Sequence, residues 1–225
     1  MTPNPNNYQP DLEYSAAEIE AGAHRQAVGG RSDEIGELQL TFLIENGLAP
    51  SDQLLDIGCG SLRAGVRLID YLDSGHYFGT DLLQGLLDAG RFEVERAELA
   101  DKLPMANLAQ VDRLQVPFDV EFDVAVAQSV WSHLPLNHIK LCLANLKPKM
   151  KAGGVFFASI FVLPKGADLM FTRQNGKFSY EADRFMYPLE DMRYAARSTG
   201  WVFDSVVNWD HPKGQRMLRF TKPDQ

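Results

Sequence analysis

The chain has 225 residues, 45% of them apolar and 23% charged, which is enough for one sizeable core and unlike a disordered chain. Its net charge of −8 argues against tight binding to nucleic acid or an anionic membrane, since both need clustered lysine and arginine. Two cysteines make no disulfide framework or metal cluster, and no apolar run approaches the ~20 residues of a membrane span. A single cytoplasmic domain is expected, with no metal, no nucleic-acid or membrane partner, and a homo-oligomer left open.

In chain order, residues 1–13 are rich in Pro and Asn and offer little to bury. Residues 14–50 read as a helical cap: from Ser32 or Asp33, Ile35, Leu38, Phe42 and Leu43 recur at helical spacing until Asn46-Gly47. Residues 53–57 are a short apolar run ending in Gly58-Cys59-Gly60, and Leu62, Val66, Ile69 and Leu72 then follow helical spacing. Strand, glycine turn and helix are predicted there. A second strand over residues 77–80 ends at Asp81, and a helix carrying Leu83, Leu87, Gly90 and Val94 follows.

Further strands are predicted at 106–111, at 122–127 and, after Gly153-Gly154, at 155–162, with a helix through Ile139, Leu143 and Leu146 between the last two. Residues 163–188 match no single period and carry Phe171, Phe178, Tyr180, Phe185 and Tyr187; they are expected to form an inserted aromatic lid or a loop with its own small core. A helix over 189–198 stopped by Gly200, then strands over 202–209 and 215–221, close the chain. So short a link makes that last pair antiparallel. Short strands alternating with long helices imply an open, doubly wound α/β sheet.

In such sheets ligands bind beyond the carboxyl ends of the strands, where a glycine turn lets backbone approach the cofactor. Here the place of a third dinucleotide-fingerprint glycine is held by Arg63. Asp56, two residues before Gly58, would repel a pyrophosphate but suit a cationic cofactor. Asp81, at the next strand end, is placed to accept ribose hydroxyls. A nicotinamide reductase is therefore the weakest of the readings considered.

The segments LLDIGCGSLRAG, YFGTD, FDVAVAQSVWSHL and LKPKMKAGGVFF resemble the class I S-adenosylmethionine-dependent methyltransferases, small-molecule type, across residues 51–162. That resemblance implies a Rossmann-like, seven-stranded, mostly parallel sheet of order 3-2-1-4-5-7-6 with strand 7 antiparallel. It also implies S-adenosyl-L-methionine as cofactor. Asp56 and the backbone of Gly58, Cys59 and Gly60 would hold its methionine end, and Asp81 its ribose. Leu82 and Val111 would pack on the adenine, Asp112 would accept from the adenine amine, and Gln128 and Ser129 would close the methyl side. Where the family pattern often has a third glycine, this chain has Leu62. The segment HRQAVGGRSDEIGELQ, residues 24–39, resembles the leader of bacterial members acting on small metabolites.

Other candidates carry two readings each. Arg25 either pairs with the cofactor carboxylate or lies on the surface. His133 is a general base or a loop cap, Trp131 an acceptor wall or core, and Asp112 equally a turn residue. Tyr14, His24, Phe185 and Tyr187 are candidates for the acceptor side, and Cys59 is otherwise a small filler. The expected activity is methyl transfer to an O or N atom of a small molecule. A cofactor-binding protein without transfer, or a non-catalytic Rossmann-like partner subunit, is the alternative.

Overall fold

The computed structural model describes residues 13–27, 32–166, 173–174, 177–178, 185–207 and 209–224. Seven strands make the main sheet: β1 Leu54–Ile57, β2 Tyr77–Asp81, β3 Leu108–Gln110, β4 Phe122–Ala127, β5 Met150–Val162, β6 Val202–Val207 and β7 Arg216–Thr221. Their order is β3-β2-β1-β4-β5-β7-β6, with Met186–Tyr187 as a short eighth strand parallel to the end of β5. β7 runs antiparallel to β5 and β6. Both the order and the antiparallel strand agree with expectation.

The helices are α1 Ala16–Glu20, α2 Ala23–Ala27, α3 Ser32–Glu45, α4 Gly65–Tyr71, α5 Gln84–Arg96, α6 Leu136–Leu146 and α7 Leu189–Thr199. The described residues fall into two compact units, one up to Val126 and one from Ala127 onward. Among them, no helix is long and apolar enough to cross a membrane, and no group of His, Cys, Asp and Glu could hold a metal ion.

In the first unit β1 is buried along its whole length, as befits a strand paired in parallel on both sides, with β2 and with β4. Leu54, Leu55 and Ile57 are therefore apolar on both faces of the strand, with Asp56 its one charged residue. α4 and α5 pack on β2, and α3 packs on α4. Phe78 meets Phe118 and Phe122 edge-on, with ring centroids 5.0 and 5.4 Å apart.

The second unit is built on β5, β7 and β6, with α6 packed against α7. Its core is aromatic: Trp131 lies 5.5 Å from Phe156 and 5.4 Å from Phe220. The indole of Trp201 donates to the Leu143 carbonyl at 2.9 Å, so its one polar atom is satisfied in the core. Gly200 ends α7 at a φ of 74°, where any side chain would be strained.

Three boundaries differ from expectation. β5 starts at Met150, ahead of the glycine pair, because Gly153 and Gly154 exchange backbone hydrogen bonds with Lys222 and keep the ladder going. β3 is shorter than predicted: Met105–Asn107 forms a 3-10 turn, with the Asn107 amide donating to the carbonyls of Gly75 and Tyr77. Within the expected lid, Arg173–Gln174 pairs antiparallel with Lys177–Phe178. Phe171 and Tyr180 lie outside the described residues.

Candidate active site

The chain leaves β1 through a turn in which Gly58 and Gly60 take φ values of 71° and 56°, a region open to glycine at little cost. The N–H groups of Gly58 and Cys59 both donate to the Thr80 carbonyl, at 2.7 and 3.1 Å, which ties the turn to the end of β2. Leu62, at the position where the family pattern has a third glycine, also takes a positive φ, 58°. A leucine tolerates this strain because it is fully buried.

Asp56 is 4% exposed, and its Oδ2 accepts a hydrogen bond from the Tyr77 hydroxyl at 2.9 Å. Burial pushes its carboxyl up to about 7; the Tyr77 bond and the Arg63 charge pull the other way, and Asp81 adds to the rise. A buried carboxylate of this kind is stabilised by a cation brought beside it. Cys59 is a filler, as its alternative reading had it: burial drives its thiol far above the ordinary range, and its Sγ fills the space over Gly79, where a Cβ would come within 2.8 Å.

Asp81 is held by backbone on both oxygens. Oδ2 accepts from Gly60 N–H at 2.8 Å and Oδ1 from Leu83 N–H at 2.9 Å. Each oxygen keeps a second lone pair for a ligand hydroxyl. Burial raises its pKa and these backbone bonds oppose the rise. Val111 N–H donates to the Asp81 carbonyl at 2.8 Å, so the end of β3 is tied to the same point; Leu82 is half-buried beside it. Asp112 is largely exposed and accepts from the Gln115 amide at 3.0 Å, a contact that lowers its pKa.

Two glycines at positive φ, a buried carboxylate at one strand end and an aimed carboxylate at the next fit a ligand with an ammonium at one end and vicinal hydroxyls at the other. S-adenosylmethionine has both groups. The residues present therefore fit the cofactor.

Arg25 needs correction. Its Nε and Nη2 donate to the two oxygens of Glu93, each at 2.9 Å, and His24 Nε2 lies 2.7 Å from the same carboxylate. The guanidinium fork is thus spent on α5 and not held for a cofactor carboxylate. His24 is fully buried, with the Tyr14 ring edge-on to it at 6.3 Å. The sequence offered no signal for this, because the Glu93 partner lies 68 residues away.

In the second unit, the loop after β4 enters a buried polar ring that sequence pattern did not reveal. Ser129, at a φ of 61°, donates its N–H to Ser159 Oγ at 2.7 Å. Ser159 in turn donates to Gln215 Oε1 at 2.6 Å, and Gln215 Nε2 donates back to Ser129 Oγ at 2.9 Å. Gln128 Nε2 reaches Ser129 Oγ at 2.5 Å and lies 3.4 Å from His211 Nε2. The His211 ring stacks on Trp209 at 4.9 Å, and its Nδ1 accepts from Lys213 N–H. Nothing in the sequence marked Ser159 as a partner of Ser129.

Trp131 is fully buried among Phe156 and Phe220, so the structure gives it to the core rather than to an acceptor wall. Tyr187 is likewise buried, its hydroxyl donating to the Leu134 carbonyl, with the Phe185 ring stacked at 6.2 Å. Phe185 N–H donates to the Ser132 carbonyl at 2.7 Å. Tyr187 is therefore no exposed lid residue; it closes the hydrogen bonding of the loop that carries His133. His133 ends the 3-10 turn Trp131–His133 and is half-buried.

Compared with known proteins, residues 55–156 match the model of a methyltransferase domain. A protein of Methanocaldococcus jannaschii is 26% identical over 160 residues, covering 68% of this chain; the chain spans 40% of that relative's length. Among solved structures, an S-adenosylmethionine-dependent methyltransferase of Clostridium acetobutylicum superimposes with a TM-score of 0.66 at 14% identity, covering 93% of this chain and all of that one. Magnesium protoporphyrin IX methyltransferase of Synechocystis, with its bound cofactor, gives 0.61 at 14% identity over 94% and 86% of the two chains. A glycopeptide N-methyltransferase gives 0.64 at 15% identity over 85% and 90%. These likenesses bear on the fold.

Proposed function

We propose that the chain, whose residues 55–156 match a methyltransferase domain, is a class I S-adenosylmethionine-dependent methyltransferase that methylates an oxygen or nitrogen atom of a small molecule. The observation that carries the reading is the pair of carboxylates, buried Asp56 and half-buried Asp81, at the carboxyl ends of adjacent strands around the Gly58–Gly60 turn. When bound, the cofactor supplies a methyl group on a sulfonium, a leaving group that needs no further activation.

The protein's share of the work is then alignment, and proximity can supply ~7–11 kcal/mol of the barrier. Asp56 would face the ammonium, and the backbone of Gly58, Cys59 and Gly60 the methionine end. Asp81 would hold the ribose, with Leu82, Val111 and Asp112 toward the adenine. Gln128 and Ser129 are assigned to the methyl side, and the ring through Ser159 and Gln215 supports that role by holding Ser129 in one conformation. An amine or carboxylate acceptor needs no base; for an alcohol or phenol, His133 is the candidate to take the proton. Small-molecule acceptors of the two named relatives and the acidic net charge support a small acceptor over a nucleic acid.

The test is a thermal shift with S-adenosylmethionine, S-adenosylhomocysteine and NADH on wild type and Asp81→Ala. A ligand at 100 times its dissociation constant should stabilise by about 2.7 kcal/mol. We expect the first two to stabilise wild type only, and a radiolabelled acceptor screen to find transfer. Cofactor binding with no transfer to any acceptor would favour a binding protein, and a response to NADH alone would favour a reductase.

A further inference from the structure

Tyr77 is the first residue of β2, four positions before the strand end that carries Asp81. Nothing in the glycine-turn pattern draws attention to it. Yet it is 1% exposed, and its hydroxyl is the one hydrogen-bond partner of the Asp56 side chain among the described residues. Space for that hydroxyl is kept by Gly65 at the start of α4: a Cβ there would lie 2.8 Å from the phenol oxygen. The pair is thus built by three elements, β1, β2 and α4.

We infer that Tyr77 is a positioning residue for the cofactor: its phenol occupies Oδ2 of Asp56, leaving Oδ1 to receive the ammonium of the cofactor's amino-acid end. This rests on the methyltransferase reading above and deepens it. Burial and the neighbouring carboxylates keep the Tyr77 phenol protonated far above its ordinary range, so it serves as a donor at every working pH. With Oδ2 taken by a donor, the proton of the acid form sits on Oδ1, where the ammonium must bind. The ligand and that proton therefore compete for one oxygen.

The groups facing the Asp56 carboxyl are Tyr77 and Asp81 from β2, and Cys59 and Arg63 from the turn into α4. Arg63 favours the charged carboxylate and Asp81 disfavours it. Cys59 stays a neutral thiol, because burial holds its proton on. Asp56 itself is pushed up to about 7. Removing the phenol takes away a donor to the carboxylate and moves its pKa further up.

The test is calorimetric titration between pH 6 and 8 with S-adenosylmethionine, S-adenosylhomocysteine and 5′-methylthioadenosine, the last of which has no amino-acid end. For wild type, the first two should bind about tenfold tighter per pH unit below the Asp56 transition and level off above it, while methylthioadenosine stays flat. Tyr77→Phe should weaken the first two about tenfold at pH 7, shift the levelling point upward and leave methylthioadenosine unchanged. A merely structural tyrosine would weaken all three equally. Equal weakening, or an unchanged pH profile in Tyr77→Phe, overturns the inference. If that variant does not fold, Gly65→Ala, which crowds the phenol oxygen, should produce the same upward shift, and an unshifted profile there is equally decisive. Binding of none of the three ligands to wild type would overturn the cofactor reading itself.

Discussion

Leu62 occupies the space that Gly90 of α5 leaves open: a Cβ on Gly90 would stand 2.7 Å from the Leu62 Cγ. Gly65 does the same on the other side, at 2.8 Å from the Leu62 Cβ. Two glycines on two helices thus accommodate one leucine whose own backbone is left-handed. Strain in the turn is offset by burial of the side chain.

That balance reverses a common order of mutational damage. Leu62→Ala keeps the positive φ and opens a cavity, at a cost of about 2–5 kcal/mol. Leu62→Gly loses the same packing but relieves the backbone, so it should be more stable than the alanine variant by about 1 kcal/mol. Urea denaturation of the pair measures the difference; alanine equal to or better than glycine would mean the turn is unstrained.

The Arg25–Glu93 fork should matter to stability and not to the cofactor. Burial alone would raise the Glu93 carboxyl, but the bonds from Arg25 and His24 outweigh it and hold the pKa low. Glu93→Gln should cost about 1 kcal/mol, a modest figure because Arg25 is 37% exposed and water screens the pair. Since a lowered carboxyl contributes stability above its unfolded pKa, the difference from wild type should shrink as pH falls through the acidic range. S-adenosylhomocysteine affinity should be unchanged; a large loss would restore Arg25 to the cofactor.

Asp56 has the opposite sign. Its proton is bound more tightly in the fold, at about 7, than in the unfolded chain, so its stabilising contribution is fully present below the ordinary carboxylate range and is lost as pH rises toward 7. Asp56→Asn should therefore gain on unliganded wild type from pH 5 to pH 8, by at most about 1.4 kcal/mol per pH unit. Melting temperatures of the two across that range check it. Parallel curves would show that Asp56 is ionised throughout.

The ring around Ser129 should respond at its buried member. Ser159→Ala leaves the Ser129 N–H without its partner and takes from the Gln215 amide oxygen the shorter of its two bonds, the other coming from Ser129 Oγ at 3.2 Å, at a cost of about 1–3 kcal/mol. Ser159→Thr keeps the hydroxyl and adds one methyl, so it should recover the polar part of that loss. Denaturation midpoints for the two variants distinguish lost bonding from altered packing.

What could be read from the sequence was local or periodic. The parallel core, the closing antiparallel pair and the Asp56-Ile57-Gly58-Cys59-Gly60 turn follow from apolar runs, helical spacing and glycines set a few residues apart. Only the tertiary structure decided which polar groups meet. Glu93 reaches back to Arg25, Gln215 to Ser129 and Tyr77 to Asp56 across separations of 68, 86 and 21 residues. Each such pair is one hydrogen-bonding choice among many that a composition or a period leaves equally open. Burial makes that choice binding, because a polar group taken from water must find its partner wherever the fold brings one.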